Sequence, residues 1–109
     1  MEKAIFKNAK YVESSNTSIQ GNRTEIKKYI GKGYRVVEER DGYWILSRPC
    51  RINVELENST GKNTFNMKND ILNYYGRTKM TEKLFEKFYK DATKGKIQFY
   101  MEGMSYSFR

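Results

Sequence analysis

The sequence predicts an α+β domain: a small antiparallel sheet with a central β-hairpin, packed against about three helices. Three observations carry this. Two runs, 51–57 (RINVELE) and 96–102 (KIQFYME), alternate apolar and polar residues as half-buried strands do. Two β-rich runs, YRVVEER and YWILSR, are separated by Asp41-Gly42, a dipeptide suited to a type I′ turn. Residues 81–93 place lysines on one helical side and apolar residues on the other. At 109 residues the chain fits one compact domain spanning 1–109.

The elements follow in order. Residues 3–12 suggest a first strand with Ile5 and Phe6, although their alternation is poor. Residues 13–21 (ESSNTSIQG) are polar and read as a loop. A short helix is expected over 23–31. Asn22 is its cap, Glu25 completes a capping box, and Ile26, Tyr29 and Ile30 form its apolar stripe. Gly31 and Gly33 end it.

A two-residue turn at Asp41-Gly42 sets the hairpin register. It places Arg40 opposite Tyr43, Glu39 opposite Trp44, Val37 opposite Leu46 and Arg35 opposite Arg48. Apolar residues on both faces predict cover on both sides, with Trp44 as a core anchor. Pro49 interrupts the ladder after Arg48. In 51–57, Ile52, Val54 and Leu56 face inward; NSTGKN is a turn, and Thr64-Phe65 begin a return strand.

Two helices are expected next. The first spans 67–75, capped by Asn66 and ended by Gly76, with Met67, Ile71, Tyr74 and Tyr75 buried. The second spans 81–93, with Thr78 or Thr81 as cap and Gly95 beyond its end. The closing strand points Ile97, Phe99 and Met101 inward; the tail GMSYSFR carries no pattern.

Composition narrows the chemistry. The chain has 21 Lys+Arg against 13 Asp+Glu, a net charge of +8 and a pI near 9.6. That balance favours an anionic partner. Histidine is absent and Cys50 is the lone cysteine. His-based acid–base and nucleophile pairs are therefore excluded, as is an internal disulfide, and a structural zinc site lacks ligands. Cys50 beside Pro49 reads as a small packing residue with no base to activate it. Glu38-Glu39 and Glu55/Glu57 do not form a catalytic carboxylate pair, because the first two alternate faces and the second two are solvated. The glycines form no phosphate loop. No catalytic residue, metal or cofactor is expected, and the chain is expected not to be an enzyme. No apolar run reaches membrane-spanning length and the start lacks a signal-peptide core, so a cytoplasmic location is expected and no membrane partner.

Four features can carry binding. Lys83, Lys87, Lys90 and Lys94 fall within about 60° of one another on one helix side, a linear cation array suited to a nucleic-acid backbone. The alternative is a solvated face stabilised by the i,i+4 pairs Glu86–Lys90 and Lys87–Asp91. The helix pair around Gly76 resembles a helix-turn-helix in outline, with Arg77, Thr78, Lys79, Thr81 and Lys83 where contacts are made. Two adjacent helices also simply pack. The hairpin offers Arg40 at its tip and Arg35 and Arg48 at its base, ingredients of a β-ribbon or wing, although the element order differs from a winged helix. Tyr34, Tyr43, Tyr75 and Tyr100 lie beside cations, which suits single-stranded nucleic acid or a protein surface.

The short Lys/Asn/Tyr-rich chain resembles, in style across its whole length, small proteins encoded by phages, plasmids or integrative elements of low-GC bacteria. The expected function is a small basic nucleic-acid-binding protein of a bacterial mobile element, for double-stranded DNA, in a regulatory or accessory role. A homodimer is the expected route to a longer site. The alternative is a phage- or plasmid-encoded, anti-CRISPR-like inhibitor that contacts a host defence nuclease as a protein partner. A third option is a small structural or virion component.

Overall fold

The computed structural model describes residues 1–20 and 23–109. It is α+β, with eight strands in two antiparallel sheets and three helices among those residues. The strands are β1 (Glu2–Val12), β2 (Ser15–Gln20), β3 (Arg35–Arg40), β4 (Tyr43–Arg48), β5 (Arg51–Asn58), β6 (Gly61–Asn66), β7 (Phe99–Glu102) and β8 (Ser105–Phe108). The helices are α1 (Arg23–Gly31), α2 (Lys68–Tyr75) and α3 (Glu82–Thr93). They gather into two compact units, one of residues 1–12 and 51–109, the other of residues 13–50.

The larger unit holds a five-stranded sheet ordered β6-β5-β1-β7-β8, more extensive than the small sheet expected. Its inner face carries Ile52, Val54 and Leu56, all fully buried, as their alternation requires. In β1, Phe6 pairs with Leu56 while Asn8 pairs with Glu55, so Lys7 is the extra residue of a bulge. The bulge changes the phase of alternation. Ala4 and Phe6 point inward before it, Ala9 and Tyr11 after it, which is why no single period-two pattern runs through 3–12.

The sheet curls until its two edges meet. Asn63 Nδ2 on β6 donates to the Gly103 carbonyl at 3.0 Å, and the Phe65 and Tyr106 rings lie 4.8 Å apart. Asn58 Nδ2 donates to the Met101 carbonyl at 3.1 Å. Inside the curl, Phe88 from α3 sits edge-on to Phe6, Phe99 and Phe108, with ring centroids 6.1–6.2 Å apart. The tail thus forms β8, ordered by aromatic contacts too distant in sequence to be seen there.

Helix α2 packs on β5 and α3 on β1. Asn66 Oδ1 accepts from Ile52 N and Lys68 N, tying the end of β6 to the start of α2, although the N-cap position itself is Met67. Met67 and Ile71 are buried as expected and Tyr75 is half-buried, but Leu72 is buried as well and Tyr74 is exposed, its ring beside Phe108. Gly76 takes φ +65°, and Arg77 N reaches back to the Leu72 carbonyl at 2.8 Å, a Schellman closure.

The smaller unit holds the three-stranded sheet β2-β4-β3, with helix α1 alongside in sequence. The expected loop at 13–21 is in fact β2 over Ser15–Gln20, paired with β4 along its length. Only Ile19 in it is apolar and buried, so a mostly polar strand left no alternation to read. Asn22, the expected cap of α1, lies outside the described residues. No residue of α1 is fully buried, and Ile30 is exposed.

The hairpin forms with its first two pairs as expected, Arg40 with Tyr43 and Glu39 with Trp44. A bulge then shifts the register at Val37, so Val36 pairs with Leu46 and Arg35 with Ser47. Arg48 pairs with Ser15 of β2, so Arg35 and Arg48 are not opposite one another. The turn is not type I′ either. Gly42 has φ +80°, while no described non-glycine residue has positive φ, Asp41 included. A bulge bends the strand that carries it and increases its local twist. Strand β3 is exposed throughout and Trp44 is half-buried, which corrects the expected cover on both faces.

Candidate nucleic-acid interface

The candidate interface lies on α3. Thr81 caps the helix, its hydroxyl accepting from Leu84 N at 3.1 Å. Leu84, Phe88 and Ala92 are buried, and this fixes the rotation of the helix about its axis. The side opposite them is then compelled outward. Lys83, Lys87, Lys90 and Lys94 are all exposed there, lining one shallow concavity of ≈ 450 Å³ with Glu86 and Asp91.

The two acids do not neutralise the ridge by ion pairing. Among the described residues, side-chain ion pairs within 4.0 Å are Arg40–Glu38 and Lys62–Glu55, and neither involves the ridge. The expected i,i+4 pairs Glu86–Lys90 and Lys87–Asp91 are not formed at that distance. Asp91 Oδ2 instead accepts the Tyr75 hydroxyl at 2.8 Å. The Lys87 ammonium lies 5.8 Å from the centre of the Tyr75 ring. Burial, then the hydrogen bond to Asp91, pushes the Tyr75 phenol above its ordinary range. The sequence places Tyr75 both on the buried side of α2 and among the tyrosines beside cations, and it is half-buried; its partner stands sixteen positions away and no local pattern joins them.

Arg77 and Lys79 occupy the α2–α3 connection and are exposed, while Met80 between Lys79 and the cap is buried and anchors it. The connection runs from Gly76 to Thr81, longer than the three or four residues of a helix-turn-helix, and each helix rests on a different strand of the sheet. The helix-turn-helix outline is therefore absent, but Arg77, Lys79 and the lysine ridge belong to one unit and one helix pair.

The hairpin cations stand in different surroundings. Arg40 Nε donates to Glu38 at 2.7 Å, and that bond first, then one with Tyr43, favours its charged form. Glu38, Glu39 and Asp41 surround it, so the hairpin tip is locally acidic. Arg35 is exposed. The Arg48 guanidinium stacks on Tyr34, 5.0 Å from the ring centre, with its Nε buried and without a hydrogen-bond partner. Tyr34 in turn bonds the Ser15 hydroxyl. Arg48 is thus held inside its own unit by an aromatic face.

Among the described residues, no three His, Cys, Asp or Glu side chains come together in a way that could hold a metal ion. No helix among them is long and apolar enough to cross a membrane. The cationic excess concentrates in the larger unit, which carries 14 of the Lys and Arg residues against 8 of the Asp and Glu.

The fold and site together define a two-sheet α+β protein with a cationic helical ridge free of ion pairs. No protein family, curated protein or solved structure matches this chain.

Proposed function

We propose that this protein binds nucleic acid without catalysing a reaction on it, taking the backbone of double-stranded DNA along the α3 ridge. The observation that carries the reading is the set of four exposed lysines on one helix face, none in an ion pair within 4.0 Å among the described residues. The ridge rises about 16 Å from Lys83 to Lys94, at 1.5 Å per residue. That length spans about five phosphates of one strand at 3.4 Å each. Arg77 and Lys79 extend the same cationic unit. Phosphate contact supplies affinity and register but no base reading, so sequence preference would need further contacts. The role that fits such a protein is regulatory or accessory, within a phage, plasmid or integrative element of a bacterium, acting in the cytoplasm and as a homodimer where a longer site is needed.

The second reading is a protein inhibitor of a host nuclease. One observation favours it: an open concavity of ≈ 690 Å³ between α2 and β8, lined by Tyr74, Met104, Tyr106 and Phe108, with Met104 81% exposed. Tyr74 and Met104, large apolar groups left exposed there, suit a protein partner. Fluorescence anisotropy with labelled duplex, single-stranded DNA and RNA, over a salt series, separates the two. Duplex binding that falls steeply with salt supports the first reading. Absence of binding to all three at low salt overturns it and leaves the second.

A further inference from the structure

We infer that Tyr75 is a positioning residue of the anion-binding ridge, holding Asp91 away from Lys87 so that the ammonium stays available to a phosphate. This rests on the reading of the ridge given above and adds a control element to it.

The argument begins with spacing. Lys87 and Asp91 are i and i+4 on α3, which places their side chains next to each other on the helix surface. Such a pair is within reach of closing, although its worth is only about 0.2–0.5 kcal/mol. Here it does not close: no Lys87–Asp91 ion pair falls within 4.0 Å, and Asp91 Oδ2 is 2.8 Å from the Tyr75 hydroxyl. Tyr75 therefore acts on both members. Its hydroxyl donates to the carboxylate, and its ring face lies toward the ammonium, 5.8 Å from the centroid. A ring face attracts a cation weakly and retains its charge.

The consequence is energetic. A lysine already paired to a carboxylate must give up that pair before it meets a phosphate. A lysine resting on a ring gives up less. The hydroxyl is neutral, so it does not cancel the charge of Asp91; it directs the carboxylate toward α2. Asp91 is half-buried, consistent with a carboxylate turned toward the protein. Tyr75 sits at the last position of α2, immediately before Gly76, where the Schellman closure ends the helix. The device needs both helices and so is a property of the tertiary structure.

The test is a double-mutant cycle. Tyr75→Phe keeps the ring and removes the hydroxyl; Asp91→Asn removes the charge that competes for Lys87. In Tyr75→Phe, Asp91 turns to Lys87, and the pair it forms weakens duplex binding about twofold at low salt. Asp91→Asn tightens binding, and adding Tyr75→Phe to it causes no further change. A second readout does not depend on DNA: the NMR chemical shifts of the Lys87 side chain move in Tyr75→Phe relative to the parent, with no such move when Asp91→Asn is also present. Unchanged Lys87 side-chain shifts in Tyr75→Phe overturn the inference, whatever binding does. So does a Tyr75→Phe binding loss that persists with Asp91→Asn, because the hydroxyl would then act by another route. If the parent protein binds no duplex, single strand or RNA, the proposed function fails, and the Lys87 side-chain shifts still decide this inference.

Discussion

The Tyr75 hydroxyl donates to Asp91 Oδ2 at 2.8 Å and so joins the end of α2 to the exposed side of α3. A bond from a neutral hydroxyl to a carboxylate is stronger than a neutral pair, and at this half-buried position it contributes about 1–2 kcal/mol. Its second effect is electrostatic. The acid best placed to quench Lys87 is occupied elsewhere, and the ridge keeps its charge.

Replacing Lys83 and Lys87 together by Glu reverses two of the four ridge charges. Duplex affinity is expected to fall at least tenfold near 0.1 M salt, while thermal melting changes little because neither side chain is buried. Anisotropy and circular dichroism on the same samples measure both. Unchanged binding with an unchanged melt would reduce the ridge to a solvated face.

Salt dependence reports the number of phosphates met. With about five cations engaged, log K against log[salt] has a slope of roughly −4 to −5. Arg77→Ala flattens it by about 0.9, one contact's worth. Arg40→Ala leaves affinity within about twofold, because Glu38 already engages that guanidinium in an acidic hairpin tip. A large loss with Arg40→Ala would bring the hairpin into the interface. A protein target gives a shallower slope, set by its buried anchors.

The hairpin turn depends on Gly42. Its φ of +80° strains any residue with a Cβ, so Gly42→Val destabilises by about 1 kcal/mol or more. Asp41→Asn is tolerated, because Asp41 does not take positive φ. Chemical denaturation of both variants decides this; equal stability would contradict the observed turn.

Phe88 is fully buried and touches three other rings. Phe88→Ala is expected to cost about 3–5 kcal/mol. A loss under 1 kcal/mol in a denaturant titration would mean that the curled sheet does not close on this ring.

Alkaline pH offers a check on the two Tyr–Asp links. Burial first, then bonds to Asp91 and Asp70, hold the Tyr75 and Tyr106 phenols above the ordinary 10.0. A raised folded-state pKa contributes stability that is complete below the unfolded value and is lost as pH climbs through the folded one. Stability should therefore decline above about pH 10, and Tyr75→Phe with Tyr106→Phe should flatten that decline. Melting curves across the alkaline range, with phenolate absorbance alongside, measure it. Two phenols that titrate at the ordinary value would contradict these bonds.

Local pattern sufficed for much of the chain. The period of 51–57 placed Ile52, Val54 and Leu56 in the core, because an unbulged strand alternates strictly. Thr81, Gly76 and Gly95 bounded α2 and α3, since caps act within one turn. The lysine ridge was visible because helical spacing alone gathers it on one side. What local pattern could not reach was decided by contacts between distant segments. A bulge at Lys7 and another at Val37 each reset the alternation, and a bulge has no fixed residue signature. Strand β2, with one apolar residue, exists because β4 supplies its backbone partners. Strand β8 pairs with β7 and is held by rings from Phe65, Tyr74, Phe88 and Phe99. The partner that Asp91 takes on the ridge follows from helix placement on the sheet: spacing along α3 sets Lys87 and Asp91 side by side, but the Tyr75 hydroxyl that Asp91 accepts comes from another helix, which spacing cannot show.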